Sequence, residues 1–303
     1  MAPAGQPADA APRFSVIDST TPGLSLPEQL DLYARVGAQG IGITERRLGD
    51  VERDAELIAA SGLAVTGCFL SCSSILPPTD PPAEGPRRPE LHEPEMRIAA
   101  MTASIRALAP LAPGAVFYAL SGPRGRYGHD EAHAVVVEGL RELAAVAGAL
   151  GGGIVLELFH ASLANWSYVS TVAEGAAILE AVDRPNVALA VDIWHLDREP
   201  ETLAALRAHA TRIASVHIDD WREPTRSVRD RVLPGDGSAD VAGILGAVDA
   251  GGFSGWYELE ILSDDGTHGR DFPDSLWKLD PFELVSRGRA QFHAAWDARR
   301  RAP

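Results

Sequence analysis

Short apolar runs alternate with longer amphipathic segments along the chain, eight times from Phe14 onwards. The first three runs, FSVIDS, GIGITE and LAVTGCFLS, have the β-branched and aromatic content that is typical of strands. The segments between them carry helix signals; the one after FSVIDS begins at the cap residue Ser25, with Glu28 three residues on. Strands that alternate with helices in this way predict a parallel sheet with helical crossovers.

Five further strands complete the pattern. They are AVFYALS (115–121), IVLELFH (154–160), VALAVDIWHLD (187–197), SVHIDDW (215–221) and WYELEIL (256–262). Connections after helices are short, whereas several connections after strands are long, namely 73–90, 121–129, 220–239 and 263–280. The loops that follow the strands form the active face of a (β/α)8 barrel. The asymmetry therefore favours an α/β chain folded as one (β/α)8 TIM barrel. An open doubly wound sheet is disfavoured because the first strand lacks a G-x-G-x-x-G turn.

Composition supports one soluble domain. The 303 residues are 46% hydrophobic and 23% charged, which is enough to bury a full core. Residues 1–12 are biased to Ala, Pro and Gly, so we predict a disordered tail before a barrel that spans 13–303. The tail lacks the features of a secretion signal, and no apolar run approaches the roughly 18 residues of a membrane span, so we expect a cytoplasmic protein without membrane contact. Cys68 and Cys72 are expected to be reduced.

The charge balance argues against one class of partner. Acidic residues number 42 against 27 basic ones, which gives a formal net charge of −15. Such a chain would repel a phosphate backbone unless it carried a local basic stripe, so we expect no nucleic-acid partner.

Four of the predicted strands each deliver a carboxylate or an imidazole near the carboxyl end. The residues are Glu157, Asp192, His217 and Glu260. Strand ends converge on one face of a barrel, and three carboxylates with one nitrogen suit Mn²⁺, Mg²⁺ or Zn²⁺. The sequence therefore predicts a divalent metal site.

Each of these residues also has a structural interpretation. Glu157 could pair with a basic residue of a neighbouring strand, and His217 could be a hydrogen-bonded core histidine. Asp192 interrupts an apolar run, where an unpaired charge is costly. Glu258 and Glu260 share one face of their strand, and Glu260 is preferred as the ligand because it lies nearer the strand end. The four together favour the metal site.

Residues expected to contact substrate surround this set. Asp219 shares a strand face with His217, and His195 lies three residues beyond Asp192, where it either reaches a substrate oxygen or is a surface histidine. The loop after the seventh strand holds four arginines, Arg222, Arg226, Arg229 and Arg231. They either anchor an anionic or polyhydroxyl group or form a solvated charge cluster, and Arg231 is the one we assign to substrate.

The segments LELFH, VDIWHLD, VHIDDW with the following RVLPGDG, and GGFSGWYELEIL resemble the sugar phosphate isomerase/epimerase family of the xylose isomerase-like TIM barrels. This group includes tagatose/psicose epimerases, hydroxypyruvate isomerases and inosose dehydratases. The resemblance is specific over 150–285. It implies one divalent ion, with Mn²⁺ favoured over Mg²⁺, Co²⁺ or Zn²⁺, bound by Glu157, Asp192, His217 and Glu260. It also implies substrate contacts from His195 and Arg231.

The resemblance implies that Glu157 and Glu260 are the catalytic acid–base pair of an isomerase or epimerase. The substrate would be a small keto-sugar or keto-polyol, and a proton would move through an enediolate. A dehydratase of an inosose-like substrate is the alternative. An endonuclease IV-like enzyme or a non-catalytic barrel is a more remote one, because the strands supply few histidines and the chain offers no basic face. The oligomeric state is open, and a homodimer is compatible with the sequence.

Overall fold

The computed structural model describes residues 11–78, 91–196 and 200–299. Most of the predicted tail (1–10), part of the Pro-rich loop (79–90) and Asp197 lie outside the described residues. The tail therefore stays a prediction.

Eight parallel strands close into a barrel, as the sequence pattern predicts. They are β1 (Phe14–Ile17), β2 (Gly40–Thr44), β3 (Ala64–Ser74), β4 (Val116–Leu120), β5 (Gly153–Glu157), β6 (Val187–Asp192), β7 (Ile213–Ile218) and β10 (Trp256–Leu259). The order around the ring is β1-β10-β7-β6-β5-β4-β3-β2. Strands β5, β6, β7 and β10 are therefore consecutive neighbours, and their carboxyl ends form one continuous arc.

Helices cover the outside of the barrel. They are α1 (Leu26–Arg35), α2 (Val51–Ser61), α3 (Pro94–Ala107), α4 (His129–Ala149), α5 (Val172–Val182), α6 (Pro200–His209), α7 (Val241–Ala250) and α8 (Pro281–Ala298). The predicted capping box at Ser25 and Glu28 is present, and Thr171 with Glu174 forms a second one before α5. Among the described residues, no helix combines the length and the apolar character that crossing a membrane would require.

The apolar core lies between the strands and this helical layer. The inside of the barrel is different, because a small apolar group of Tyr118, Val155 and Ala190 is accompanied by buried polar side chains. One of the polar side chains is Glu258, which is fully buried. The site at the strand ends therefore rests on a partly polar floor.

The long loop after β7 folds back as a two-stranded antiparallel pair, β8 (Asp220–Trp221) and β9 (Arg231–Val232). The buried Asp220 carboxylate organises it. Its oxygens accept hydrogen bonds from four backbone amides within the same segment, those of Trp221, Gly235, Gly237 and Ala239. These bonds fix the path of the segment that carries Arg231.

Candidate metal centre

The four predicted ligands come from four neighbouring strand ends. Glu157 and Asp192 are the last residues of β5 and β6, His217 is the penultimate residue of β7, and Glu260 directly follows β10. Asp192 and His217 are paired in the parallel ladder, so their side chains emerge at the same level. The arrangement follows from the barrel closure, because parallel strands bring their carboxyl ends to one edge.

These side chains converge into a compact buried group. One potential ligand atom from each of the four residues lies within 4.8 Å of every other. His217 and Asp192 are fully buried, whereas the two glutamates are 7% and 8% exposed. Of the four side chains, the two glutamates are therefore the ones that retain contact with solvent.

The Nδ1 atom of His217 provides a direct test of whether a metal fits. It lies 3.4 Å from Glu157 Oε1, 3.8 Å from Asp192 Oδ2 and 3.2 Å from Glu260 Oε2. It is buried, and it makes no hydrogen bond within the part of the chain that the structure describes. This ring nitrogen and the three carboxylate oxygens that it faces together form a set of ligand atoms that a divalent ion would use.

Arg231 supplies a permanent positive charge next to the carboxylates of the centre. Its buried Nη1 donates to three carboxylates, those of Asp219 (2.6 Å), Asp192 (2.7 Å) and Glu260 (2.8 Å). Arg231 and Asp219 thus belong to the same buried group of charges. Their expected contact with substrate stays a prediction.

His195 lies beside the centre, in a short turn after β6. Its Nε2 is 3.6 Å from Asp192 Oδ2, and its ring stacks on Phe159 with ring centroids 4.1 Å apart. It is only 2% exposed, so the alternative of a surface histidine is wrong. The backbone amide of the adjacent Trp194 donates to both Asp192 and Asp219, which orients these two carboxylates.

The pKa values in the centre diverge because burial and charge compete. Burial raises the pKa of Glu157 to about 8, with His217 opposing the shift. Burial acts on Glu260 too, but Arg231 and His217 together outweigh it and hold the pKa of Glu260 below its usual range. Burial together with Asp192 raises the pKa of Asp219 well above its usual range. The two glutamates therefore differ in their tendency to hold a proton.

The pKa values of the two histidines shift in opposite directions. Burial lowers the pKa of His195 to about 4, which keeps its ring neutral. Burial would lower the pKa of His217 as well, but the neighbouring Asp192 and Glu260 raise it well above its usual range.

The arginine-rich loop does not act as a unit. Arg222 and Arg226 form ion pairs with Asp230 and Asp274, which ties the loop after β7 to the loop after β10. For these two residues the interpretation as a charge cluster fits the structure, whereas Arg231 contacts the carboxylates of the centre.

Sequence reasoning missed Tyr118 and the role of Glu258. The Tyr118 hydroxyl lies 2.9 Å from His217 Nε2 and donates to Glu258 Oε2 at 2.6 Å. The alternation along WYELE already places Glu258 on the inner face, so that signal was available. Tyr118 lies in an apolar strand, and no sequence signal distinguishes it from a packing residue.

Residues 30–280 match the model of the family described as xylose isomerase-like TIM barrel. The chain belongs to this family. The resemblance inferred from the motifs and the single-domain barrel fold are thereby confirmed.

Two curated relatives match parts of the chain. An inosose dehydratase of Geobacillus thermodenitrificans is 29% identical over 150 residues, which are 45% of this chain and 49% of that protein. An inosose isomerase of Halalkalibacterium halodurans is 29% identical over 127 residues, which are 41% and 44% of the two chains. The matches thus span less than half the length of either curated relative. Both relatives bear the names of enzymes, and the names cover different reactions.

A solved structure of the IOLI protein with a bound zinc atom has the same fold. It aligns with a TM-score of 0.73 and 21% identity, over 93% of this chain and 97% of that one. A barrel of this type with a metal is therefore known, and the carboxylate and histidine cluster described above is able to hold one.

Proposed function

We propose that this protein is a divalent-metal-dependent isomerase or epimerase that acts on a small keto-sugar or keto-polyol. The observation that carries the proposal is the position of Glu157 and Glu260 at the two ends of the four-strand arc, with His217 Nδ1 between them at 3.4 and 3.2 Å. A substrate held at this centre would have one carboxylate on each side.

The chemistry divides among residues of known geometry. A divalent ion held by Glu157, Asp192, His217 and Glu260 would supply Lewis-acid polarisation of the substrate carbonyl. One glutamate removes the proton from the carbon next to the carbonyl, and the other returns a proton to the opposite face or to the adjacent carbon. Mn²⁺ is our proposed ion on the basis of the oxygen-rich ligand set.

His195 and Arg231 complete the proposed site. A neutral His195 ring, held flat against Phe159, is suited to exchange a hydrogen bond with a substrate hydroxyl or carbonyl. Arg231 keeps Glu260 and Asp192 ionised through Nη1, so the proposed contact with a substrate oxygen falls to its other nitrogen atoms. Its positive charge opposes protonation of Glu260, so Glu260 is the glutamate that more readily stays ionised. The first proton abstraction is open to either glutamate.

The second candidate is a dehydratase of an inosose-like substrate. The inosose dehydratase match favours it, since the same proton abstraction next to a ketone would be followed by loss of a β-hydroxyl. The two proposals share the same residues and the same metal. They differ only in what happens to the anion that forms when the proton next to the carbonyl is removed.

One experiment tests both. Purified protein is stripped with EDTA and reloaded with Mn²⁺, and its melting temperature is recorded; we expect a fall and then a recovery, because binding to the folded state adds stability. The reloaded protein is then offered keto-sugars and inososes in D₂O. An isomeric product with deuterium at the carbon beside the carbonyl supports the isomerase, and a dehydrated product supports the second candidate. Unchanged melting after exhaustive chelation contradicts the metal site.

A further inference from the structure

A hydrogen-bonded chain lies directly below the metal centre, inside the barrel. Glu258 forms its base and is fully buried. Its Oε1 accepts from the hydroxyls of Ser15 (3.0 Å) and Thr66, and its Oε2 accepts from those of Tyr118 (2.6 Å) and Ser215. Each oxygen thus receives two hydroxyl protons, so Glu258 acts purely as an acceptor.

The direction of these bonds fixes the proton on His217. The Tyr118 hydroxyl has one proton, and Glu258 is its nearest acceptor, so the phenol oxygen is left to accept. The atom in position to donate to it is His217 Nε2, at 2.9 Å. With Nε2 keeping its proton towards Tyr118, Nδ1 is the ring atom left to bind a metal, and Nδ1 is the atom that faces the three carboxylates.

The Tyr118 ring is held in place by its surroundings. It stacks on Phe69 with ring centroids 3.9 Å apart and planes at 11°. At the edge of the ring, a Cβ at position 67 would lie 2.4 Å from Tyr118 Cε2. The ring therefore fits because residue 67 is a glycine. The hydroxyl therefore cannot shift far from His217.

We propose that Glu258 and Tyr118 are positioning residues for the metal centre. Glu258 orients the Tyr118 hydroxyl, and Tyr118 in turn makes His217 present Nδ1 as the metal ligand. A partner that holds the second ring nitrogen of a ligating histidine fixes both its tautomer and its orientation. This inference rests on the metal site of the proposed function and extends it to two residues that are not among the four proposed ligands.

Tyr118→Phe tests the inference, with Tyr257→Phe as its control. Tyr257 is equally buried on β10, but its hydroxyl makes no hydrogen bond among the residues that the structure describes. We expect Tyr118→Phe to weaken Zn²⁺ binding by about 10- to 100-fold, as loss of such partners does elsewhere. Tyr257→Phe should leave the affinity unchanged. Affinity is measured by competition with a chelator, and melting temperatures show that both variants are folded.

A spectroscopic readout separates positioning from a general loss of structure. In the Zn²⁺-loaded parent, long-range ¹H–¹⁵N spectra should show His217 bound through Nδ1 and protonated on Nε2. In Tyr118→Phe the Nε2 proton should resonate further upfield and exchange faster, because its acceptor is gone. Glu258→Gln keeps the tyrosine but removes the charged acceptor, and it should shift the affinity and the resonance in the same directions.

The outcomes distinguish the two proposals. A parent protein that binds no Zn²⁺ overturns the metal site, and this inference with it. A parent that binds Zn²⁺, with Tyr118→Phe and Glu258→Gln that keep its affinity and its Nε2 resonance, overturns the inference alone and leaves the proposed function standing.

Discussion

Asp18 and Glu45 directly follow β1 and β2, just as Glu157 and Asp192 close β5 and β6. In the first half of the barrel these carboxylates are occupied by structural bonds. Asp18 accepts from the backbone amide and the hydroxyl of Thr44, at 2.9 and 2.7 Å. Glu45 accepts from the amide of Ser71 at 2.6 Å and from the hydroxyl of Ser104 at 2.8 Å.

In the second half, the carboxylates face one another instead. Asp192 and Glu260 share the single Nη1 of Arg231, and with Glu157 they surround His217 Nδ1. Like charges within 4.8 Å of one another raise one another's energy. In the first half each carboxylate instead has hydrogen-bond donors of its own, and Asp18 also has Arg47 at 3.4 Å. The same residue type at equivalent strand ends therefore supports the fold in one half and a reactive centre in the other, and its partners decide which.

Replacing a carboxylate by its amide should affect the two halves differently, and the largest effect is expected on kcat in the second half. We expect Glu157→Gln and Glu260→Gln to lower kcat by about 10²- to 10⁴-fold, the usual contribution of a general acid or base. Substrate affinity should change far less, because the role is expressed in the transition state. Steady-state kinetics measure kcat and KM, with the substrate that the tests of keto-sugars and inososes identify.

Glu45→Gln is the matched control from the first half. It should lower the melting temperature through weakened bonds to Ser71 and Ser104 while kcat stays near the parent value. If Glu157→Gln and Glu260→Gln both keep a kcat near the parent value, the acid–base assignment is wrong.

Removing Arg231 should give the next largest effect, in stability rather than turnover. Arg231→Ala leaves three buried carboxylates without their shared cation, and breaking a buried pair costs about 3–5 kcal/mol. Urea unfolding of metal-stripped protein measures this loss, and Mn²⁺ should restore part of it. We also expect KM to rise; an unchanged KM would show that Arg231 does not anchor substrate.

The smallest effect is expected from Arg226→Ala. Arg226 is about one-third exposed and pairs with Asp230 and Asp274, so its loss should cost less than about 1 kcal/mol. Turnover and KM should stay near those of the parent. A marked rise in KM would place Arg226 with Arg231 as a substrate anchor and would revise its assignment to the charge cluster.

The ligands were predictable because each breaks an expected pattern. Asp192 and Glu157 put a charge at the end of an apolar strand, which is costly unless a partner is present. The alternation of strands with helices then predicted a closed ring, in which strands five to eight are neighbours. Local sequence and topology therefore sufficed to bring these four side chains together, and their role as metal ligands stays a prediction.

Depth and long-range pairing were not predictable in this way. Glu258 and Glu260 share one face, but only the hydroxyl partners of Glu258 inside the barrel, among them Ser15 and Tyr118, show that it lies below the centre. Arg231 comes from a long loop, where composition alone also fitted a solvated cluster. Its burial depends on how that loop folds back over the barrel, a tertiary property that local periodicity does not carry.

The Asp220 carboxylate gives this loop a scaffold of its own, because its four amide partners all lie between Trp221 and Ala239. Ties outside the segment include those to the loop after β10, through Asp274 and Leu262. Residues 220–239 thus form a cassette that carries its own scaffold together with the cation that neutralises the centre. Protein engineers could exchange such a cassette between related barrels to alter charge and substrate range while every strand stays as it is.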